Sequence, residues 1–360
     1  MIQPSLALIP TGYKDGKLYS VLPESGAGDF DVVRGSGATR VNKEGLVEDV
    51  RIISGELVTD GDFSADSDWT KGTGWSVSGG KATSDGTQTS SSDLTQTLST
   101  PSGKSYKITY NISEHTLGSI FVRLNSGNTT TSQSSVGTFT EYVYGEGGTQ
   151  ISLRASADFT GSIDNVSVKE VIDATNIPRL DYTGGGCPSL LLEPQSTNLL
   201  PYSEDFSQSN WVKTDCSVVT DFGVSPSGEI NASKLTFTTT STVARAQFNL
   251  GGLTTGNTYT QSYYIKSLGA DITLRIGTSA SAFGEFTDII ATSEWQRFEF
   301  SSIASGTSEF PRVQNITGIL GAEILVWGAQ FEALPYATSY IPTSGAIATR
   351  LGDSVTGAGD

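Results

Sequence analysis

Short runs in which apolar and polar residues alternate recur along most of the chain. Tyr106-Lys107-Ile108-Thr109-Tyr110-Asn111-Ile112 and Ile120-Phe121-Val122-Arg123-Leu124 keep a period of two. Thr138-Phe139-Thr140-Glu141-Tyr142-Val143-Tyr144, Gln150-Ile151-Ser152-Leu153-Arg154 and Ser162-Ile163-Asp164-Asn165-Val166-Ser167-Val168 follow, separated by turns. Alternation of this kind predicts strands with one buried face, and many short strands between turns predict a sandwich. No helical period holds at length, so the chain is expected to be all-β.

A second set of runs repeats the first. Gly61-Asp62-Phe63-Ser64 with Trp69 matches Glu204-Asp205-Phe206-Ser207 with Trp211. Ser102-Gly103-Lys104-Ser105-Tyr106 matches Thr255-Gly256-Asn257-Thr258-Tyr259, and Phe139 to Tyr144 matches Trp295 to Phe300. Asp164-Asn165-Val166-Ser167-Val168 stands where Trp327-Gly328-Ala329-Gln330-Phe331 does. Four matches in one order predict duplication of a unit, with longer loops in the second copy. The expected organisation is an extended N-terminal arm (1–55), a first sandwich (56–171), a connector (172–197), a second sandwich (198–342) and a C-terminal tail (343–360). The arm and tail are Gly-rich and too poor in apolar residues to order themselves. They either fold back on their own domains or dock on neighbouring chains; the second alternative makes the arm an anchor by strand addition and the chain a self-associating one, a homotrimer. Ser344-Gly345-Ala346-Ile347-Ala348-Thr349-Arg350 echoes Ser36-Gly37-Ala38-Thr39-Arg40, so similar surroundings are expected for the two. Gly184-Gly185-Gly186 lacks the Lys-Ser/Thr of a phosphate loop and reads as a bend.

Composition narrows the function. With 22 basic and 38 acidic residues the 360-residue chain carries a net charge of −16. No Lys/Arg cluster stands out along the sequence, so no nucleic-acid partner is expected. No apolar run reaches the ~18–20 residues of a membrane span, and Met1-Ile2-Gln3-Pro4 does not open an export signal. Cys187 and Cys216 form no metal pattern and are expected to be reduced, with a bridge between them as the alternative.

Candidate chemistry is sparse. His115 is the single histidine and sits in no nucleophile motif, so no enzyme is expected; a carboxylate pair of a surface glycan hydrolase is the alternative. Sugar binding asks for flat aromatic rings with polar neighbours. Trp69, Trp75, Tyr142 and Tyr144 in the first copy, and Trp211, Tyr263 and Tyr264 in the second, are the candidates. Core packing is the competing role for each tryptophan. Trp75, between Gly74 and Ser76, is expected on the surface. Tyr263 and Tyr264 are adjacent and must face opposite sides, which puts one of them inside.

Two resemblances add to this reading. Thr59-Asp60-Gly61-Asp62-Phe63 with Trp69, closing on Asp164-Asn165-Val166-Ser167-Val168-Lys169-Glu170, resembles carbohydrate-binding-module-like jelly rolls over most of 56–171. The resemblance implies two tandem jelly-roll β-sandwiches with extended N- and C-terminal arms. It also implies a structural Ca²⁺ between the first and last strands, held by Asp60, Asp62 and Asp164, although Ser64 replaces the usual carboxylate after Phe63 and turn formation alone also accounts for these aspartates. Three further stretches resemble virion proteins of tailed bacteriophages. They are Phe30 to Val47, Pro178 to Leu200, and Trp327-Gly328-Ala329-Gln330-Phe331-Glu332 through Ser339-Tyr340-Ile341-Pro342-Thr343. This implies a non-enzymatic head-fibre, decoration or tail-fibre protein on the virion surface, made in the host cytoplasm. Its partners would be capsid or tail proteins reached through the N-terminal arm and host polysaccharide, with a receptor-binding adhesin as the alternative.

Overall fold

The computed structural model describes residues 12–14, 16–19, 30–125, 129–172, 175–278 and 285–356, with side chains from Asp31 onward. The chain divides into two compact units, residues 51–174 and residues 1–50 with 175–360. Among the described residues every regular element is a strand.

In unit 51–174 the strands are β1 (Thr70–Lys71), β2 (Trp75–Ser78), β3 (Lys81–Asp85), β4 (Ser92–Thr100), β5 (Lys104–Leu117), β6 (Ile120–Leu124), β7 (Gly137–Gly145), β8 (Gly148–Ala155) and β9 (Thr160–Val171). They form a five-stranded sheet, β7-β5-β9-β3-β2, and a four-stranded sheet, β6-β8-β4-β1. The alternation predicted for β5 holds: Tyr106, Ile108, Tyr110 and Ile112 all enter the core, where they meet Leu94, Val122, Ile151 and Leu153.

The other unit carries the second sandwich: β10 (Trp211–Thr214), β11 (Cys216–Val224), β12 (Ile230–Phe237), β13 (Arg245–Phe248), β14 (Thr258–Ser267), β15 (Ile272–Gly277), β16 (Phe286–Ala291), β17 (Gln296–Ile303), β18 (Arg312–Asn315) and β19 (Glu323–Glu332). Its sheets run β17-β14-β19-β12-β11 and β10-β13-β18-β15-β16. Strand for strand the five-stranded order of the first copy is repeated, and the second sheet gains one edge strand, β16. Each sandwich is a jelly roll.

The repeat extends to atoms. Trp69 Nε1 donates to the carbonyl of Asp60 and Trp211 Nε1 to that of Tyr202, each at 3.0 Å and each across nine residues. Pairing of β5 with β9 slips between Thr109 and Asn111, and pairing of β14 with β19 slips between Ser262 and Tyr264. Opposite the two slips lie Asn165 (φ 52°) and Gly328 (φ 65°), the residue types that tolerate a left-handed bulge. At Gly328 a Cβ would also stand 3.0 Å from Cδ2 of Tyr264.

The described parts of the chain ends pair within the chain, the first of the two alternatives. Phe30–Val33 pairs with Ser354–Thr356, Thr39–Val41 with Val47–Asp49, and Ser196–Asn198 with Ala348–Arg350. The segments are extended, and this chain itself holds them; residues 1–11, 15 and 20–29 of the expected anchor, and 357–360 of the tail, lie outside the described residues. The physical reason is a buried ionic cluster. Arg34 Nη1 contacts Asp353 at 2.7 Å and Arg179 Nη1 contacts Glu193 at 2.6 Å. Arg179 also pairs with Asp353 and Arg350 with Glu193. All three arginines are fully buried. Arg34 comes from the N-terminal segment, Arg179 and Glu193 from the connector, and Arg350 and Asp353 from the tail, so the three segments are fastened to one another. Arg350 thus shares surroundings with Arg34 and not with Arg40, which pairs with Glu48. The triple glycine is a turn with positive φ at all three residues, between Leu180–Asp181 and Ser189–Leu190.

Burial alone would raise the pKa of Glu193, but Arg350, Arg179 and a hydrogen bond from Ser339 lower it from 4.5 to about 2. A carboxyl depressed in the folded state contributes its full stabilisation above the unfolded value and loses it as pH falls through the folded one. Denaturant midpoints of this unit are therefore expected to drop between pH about 4.5 and about 2. Glu193→Gln should flatten that part of the profile.

Candidate functional site

Of the aromatic residues predicted to meet sugar, four are inside. Trp69 packs on Phe63 and Trp211 on Phe206, with ring centroids 5.2 and 4.4 Å apart. Tyr263 is fully buried, its hydroxyl donating to Gln261 Oε1 at 3.0 Å, and burial drives its pKa far up. Trp75, expected on the surface, is 7% exposed and lies 6.3 Å from Phe159. Its β2 alternates, so Trp75 and Val77 share the inward face while Ser76 and Ser78 face out. Tyr264 lies on the face opposite Tyr263, in a cluster with Trp327 and Tyr340.

Tyr142 and Tyr144 are at the surface, 49% and 55% exposed. They project from edge strand β7 on the outer face of the first five-stranded sheet, because Val143 between them turns inward. Pairing places Lys107 and Lys169 in one row with Tyr142, and Ser105 with Tyr144. Thr140, Thr109 and Ser167 form the next row, and Thr138 lies beside Asn111. The Arg51 guanidinium lies 4.7 Å from the Tyr142 ring centroid and donates to its hydroxyl at 3.0 Å. Half-exposed rings held beside hydroxyls, amides and ammonium groups can stack on sugar CH faces and bond their hydroxyls.

The same face of the second five-stranded sheet is covered over its central strands, while Phe222 on β11 and Ile303 on β17 stay exposed at its edges. Trp327, Leu325 and Ala232 on it are covered by Val47 of the N-terminal hairpin and by Tyr340. Val47 N donates to the carbonyl of Pro226 at 2.9 Å, and Trp327 and Tyr340 rings stand 4.4 Å apart. Glu332, at the position matching Lys169, is fully buried and accepts from Ser196, Gln330 and Thr338. Sequence reading missed this cover. Its signal was the pair Val41 and Val47 flanking Asn42-Lys43-Glu44-Gly45, a hairpin with its own apolar face.

The predicted calcium ligands are placed as follows. Asp60 Oδ1 accepts from Ser64 Oγ at 2.6 Å and from Ala65 N. Asp164 Oδ1 accepts from Asn165 N at 2.7 Å, and burial, with the charge of Asp62 acting in the same sense, raises its pKa. Among the described residues no group of three or more His, Cys, Asp or Glu side chains is arranged to hold a metal ion. His115 Nε2 lies 2.9 Å from the carbonyl of Gly118, closing a turn. Cys187 and Cys216 are free thiols; burial pushes that of Cys216 up to about 12.

No protein-family model and no curated protein matches the chain. Among solved structures it is similar to the N-terminal CBM22-1–CBM22-2 tandem domain of Xyn10C from Paenibacillus barcinonensis. That match has 13% identity and a TM-score of 0.30, over 84% of this chain and 100% of that one. The family 11 carbohydrate-binding module from Clostridium thermocellum, solved with a β-1,3-1,4-mixed-linked tetrasaccharide, matches at 13% identity and a TM-score of 0.28, over 42% and 98%. The enzymatically active domain of bacteriophage CBA120 tailspike protein 4 matches at 15% identity and a TM-score of 0.29, over 37% and 21%.

Proposed function

We propose that the chain is a non-enzymatic display protein of a tailed-phage particle whose first jelly roll contacts host-surface glycan. One observation carries the glycan reading. The two copies share strand order, register slip and tryptophan anchor, yet in one copy the central strands of the outer face of the five-stranded sheet are covered by Val47 and Tyr340, while in the other that face presents Tyr142 and Tyr144. The particle reading is supported by the three stretches that resemble phage virion proteins. It makes other virion proteins, self-association as a homotrimer and the virion surface parts of the same proposal.

Titration of the full chain against host surface polysaccharide tests the site. Tyr142→Ala and Tyr144→Ala should each weaken binding about tenfold, the equivalent of ~1.4 kcal/mol. Trp75→Phe, a change inside the core, should leave affinity unchanged. Equal affinity in both tyrosine variants would remove this face from the account.

A further inference from the structure

The second jelly roll carries a basic face that the glycan reading does not use. On the outer side of the sheet β10-β13-β18-β15-β16, Arg245, Gln314, Arg275 and Asp288 form one row across four strands. Gln247, Arg312 and Phe286 belong to the next row, on strands β13, β18 and β16. Their neighbours Ala246, Val313, Leu274 and Ile276 point into the core, which fixes the rows outward. Adjacent strands lie ~4.8 Å apart, so Arg312 is the diagonal neighbour of both Arg245 and Arg275.

Among the described residues of these two rows three guanidinium groups thus share a patch with one carboxylate, in a chain whose net charge is −16. Asp288 is fully engaged by Arg275, at 2.7 and 3.0 Å. The Arg275 guanidinium carbon also lies over Phe286, 3.6 Å from the ring centroid, with Phe286 43% exposed. Arg245 is held by the side chain of Gln247 at 2.6 Å and by the carbonyl of Val243 at 2.9 Å. Arg312 is partly exposed and stands diagonal to both Arg245 and Arg275. Burial, and then the like charges of Arg245 and Arg275, lower its pKa. The matching sheet of the first copy is arranged differently: there Arg154 and Arg123 both lean on Asp93, at 2.8 and 3.7 Å. Like-charged guanidinium groups brought together with a single, already engaged carboxylate favour an anion at their outward Nη groups, and their planar forks fit a carboxylate in pairs.

We propose that this face is a second binding site, for a carboxylate-bearing polysaccharide, with Arg312 and Arg245 receiving the carboxylates. Gln247 and Gln314 lie beside them to meet hydroxyls, and Phe286 offers an apolar surface to a sugar ring. The choice of a polysaccharide over another polyanion rests on the glycan reading above and on the two glutamine amides and the exposed Phe286 ring beside the arginines, which suit sugar hydroxyls and a sugar CH face.

The test is a titration of the full chain with polygalacturonate, neutral dextran, dextran sulfate and duplex DNA. Polygalacturonate should bind, more weakly as salt is added, and dextran should not. Arg312→Gln and Arg245→Gln should each cost about tenfold or more in affinity. Arg245 is partly exposed and Arg245→Gln keeps the sheet, so that variant carries the test if Arg312→Gln fails to fold. Tyr142→Ala should leave polygalacturonate binding intact. Binding lost only in the tyrosine variants would overturn this site and leave the first one standing. Unchanged affinity in both arginine variants, tighter binding to DNA, or retention of dextran sulfate without polygalacturonate would each overturn it.

Discussion

Arg179→Ala should destabilise its unit by about 3–5 kcal/mol and leave the unit formed by residues 51–174 at its original midpoint. The guanidinium of Arg179 is fully buried, donates to Ser339 Oγ at 2.7 Å and bridges Glu193 and Asp353. Removing it leaves two carboxylates, that of Asp353 fully buried and that of Glu193 largely so, each with one cationic partner fewer. Cutting one member of a buried ion network costs far more than the network's net contribution, because the remaining charges keep their desolvation penalty. Denaturant unfolding followed by tryptophan fluorescence should show two transitions, of which one moves. A shift under ~1 kcal/mol would mean that the cluster is solvated and does not hold the chain ends.

The second large effect belongs to Trp211. Its indole stacks on Phe206 at 4.4 Å, meets the Phe248 ring edge-on at 5.3 Å and caps the carbonyl of Tyr202. Trp211→Ala opens a cavity and orphans that carbonyl, for an expected loss of about 3–5 kcal/mol. Trp211→Phe keeps most of the volume and gives up the hydrogen bond, so about 1 kcal/mol is expected. Trp69→Ala should act alike on the other sandwich, since Trp69 occupies the same place in the repeat. A tryptophan whose loss left stability intact and abolished glycan binding would return it to the surface role that its sequence motif also allows.

The strands and the duplication were legible because they are local. Period-two alternation in β5 and β6, the paired Asp-Phe-Ser motifs and the Asn165/Gly328 equivalence all lie within a few residues of sequence. Trp75 was misplaced because Gly74 before it reads as a surface turn; Val77 two residues on was the sign that both face inward. The ionic cluster was not legible. Arg34 meets its carboxylate 319 residues away and Arg179 meets Asp353 174 residues away. No local pattern marks an arginine for burial, and charged residues are buried only when paired. The arginine face was hidden for a related reason. Arg245, Arg275 and Arg312 are scattered in sequence, and only the β13-β18-β15 strand order makes them neighbours.

The most direct measurement is amide hydrogen exchange of the full chain with and without host polysaccharide. The account predicts that ligand slows exchange in β7 and the adjoining part of β5, around Tyr142 and Tyr144, and leaves β17 and β14 of the second copy unchanged. Protection confined to β17 and β14, with β7 unaltered, would contradict it, because the second copy and not the first would then receive the sugar.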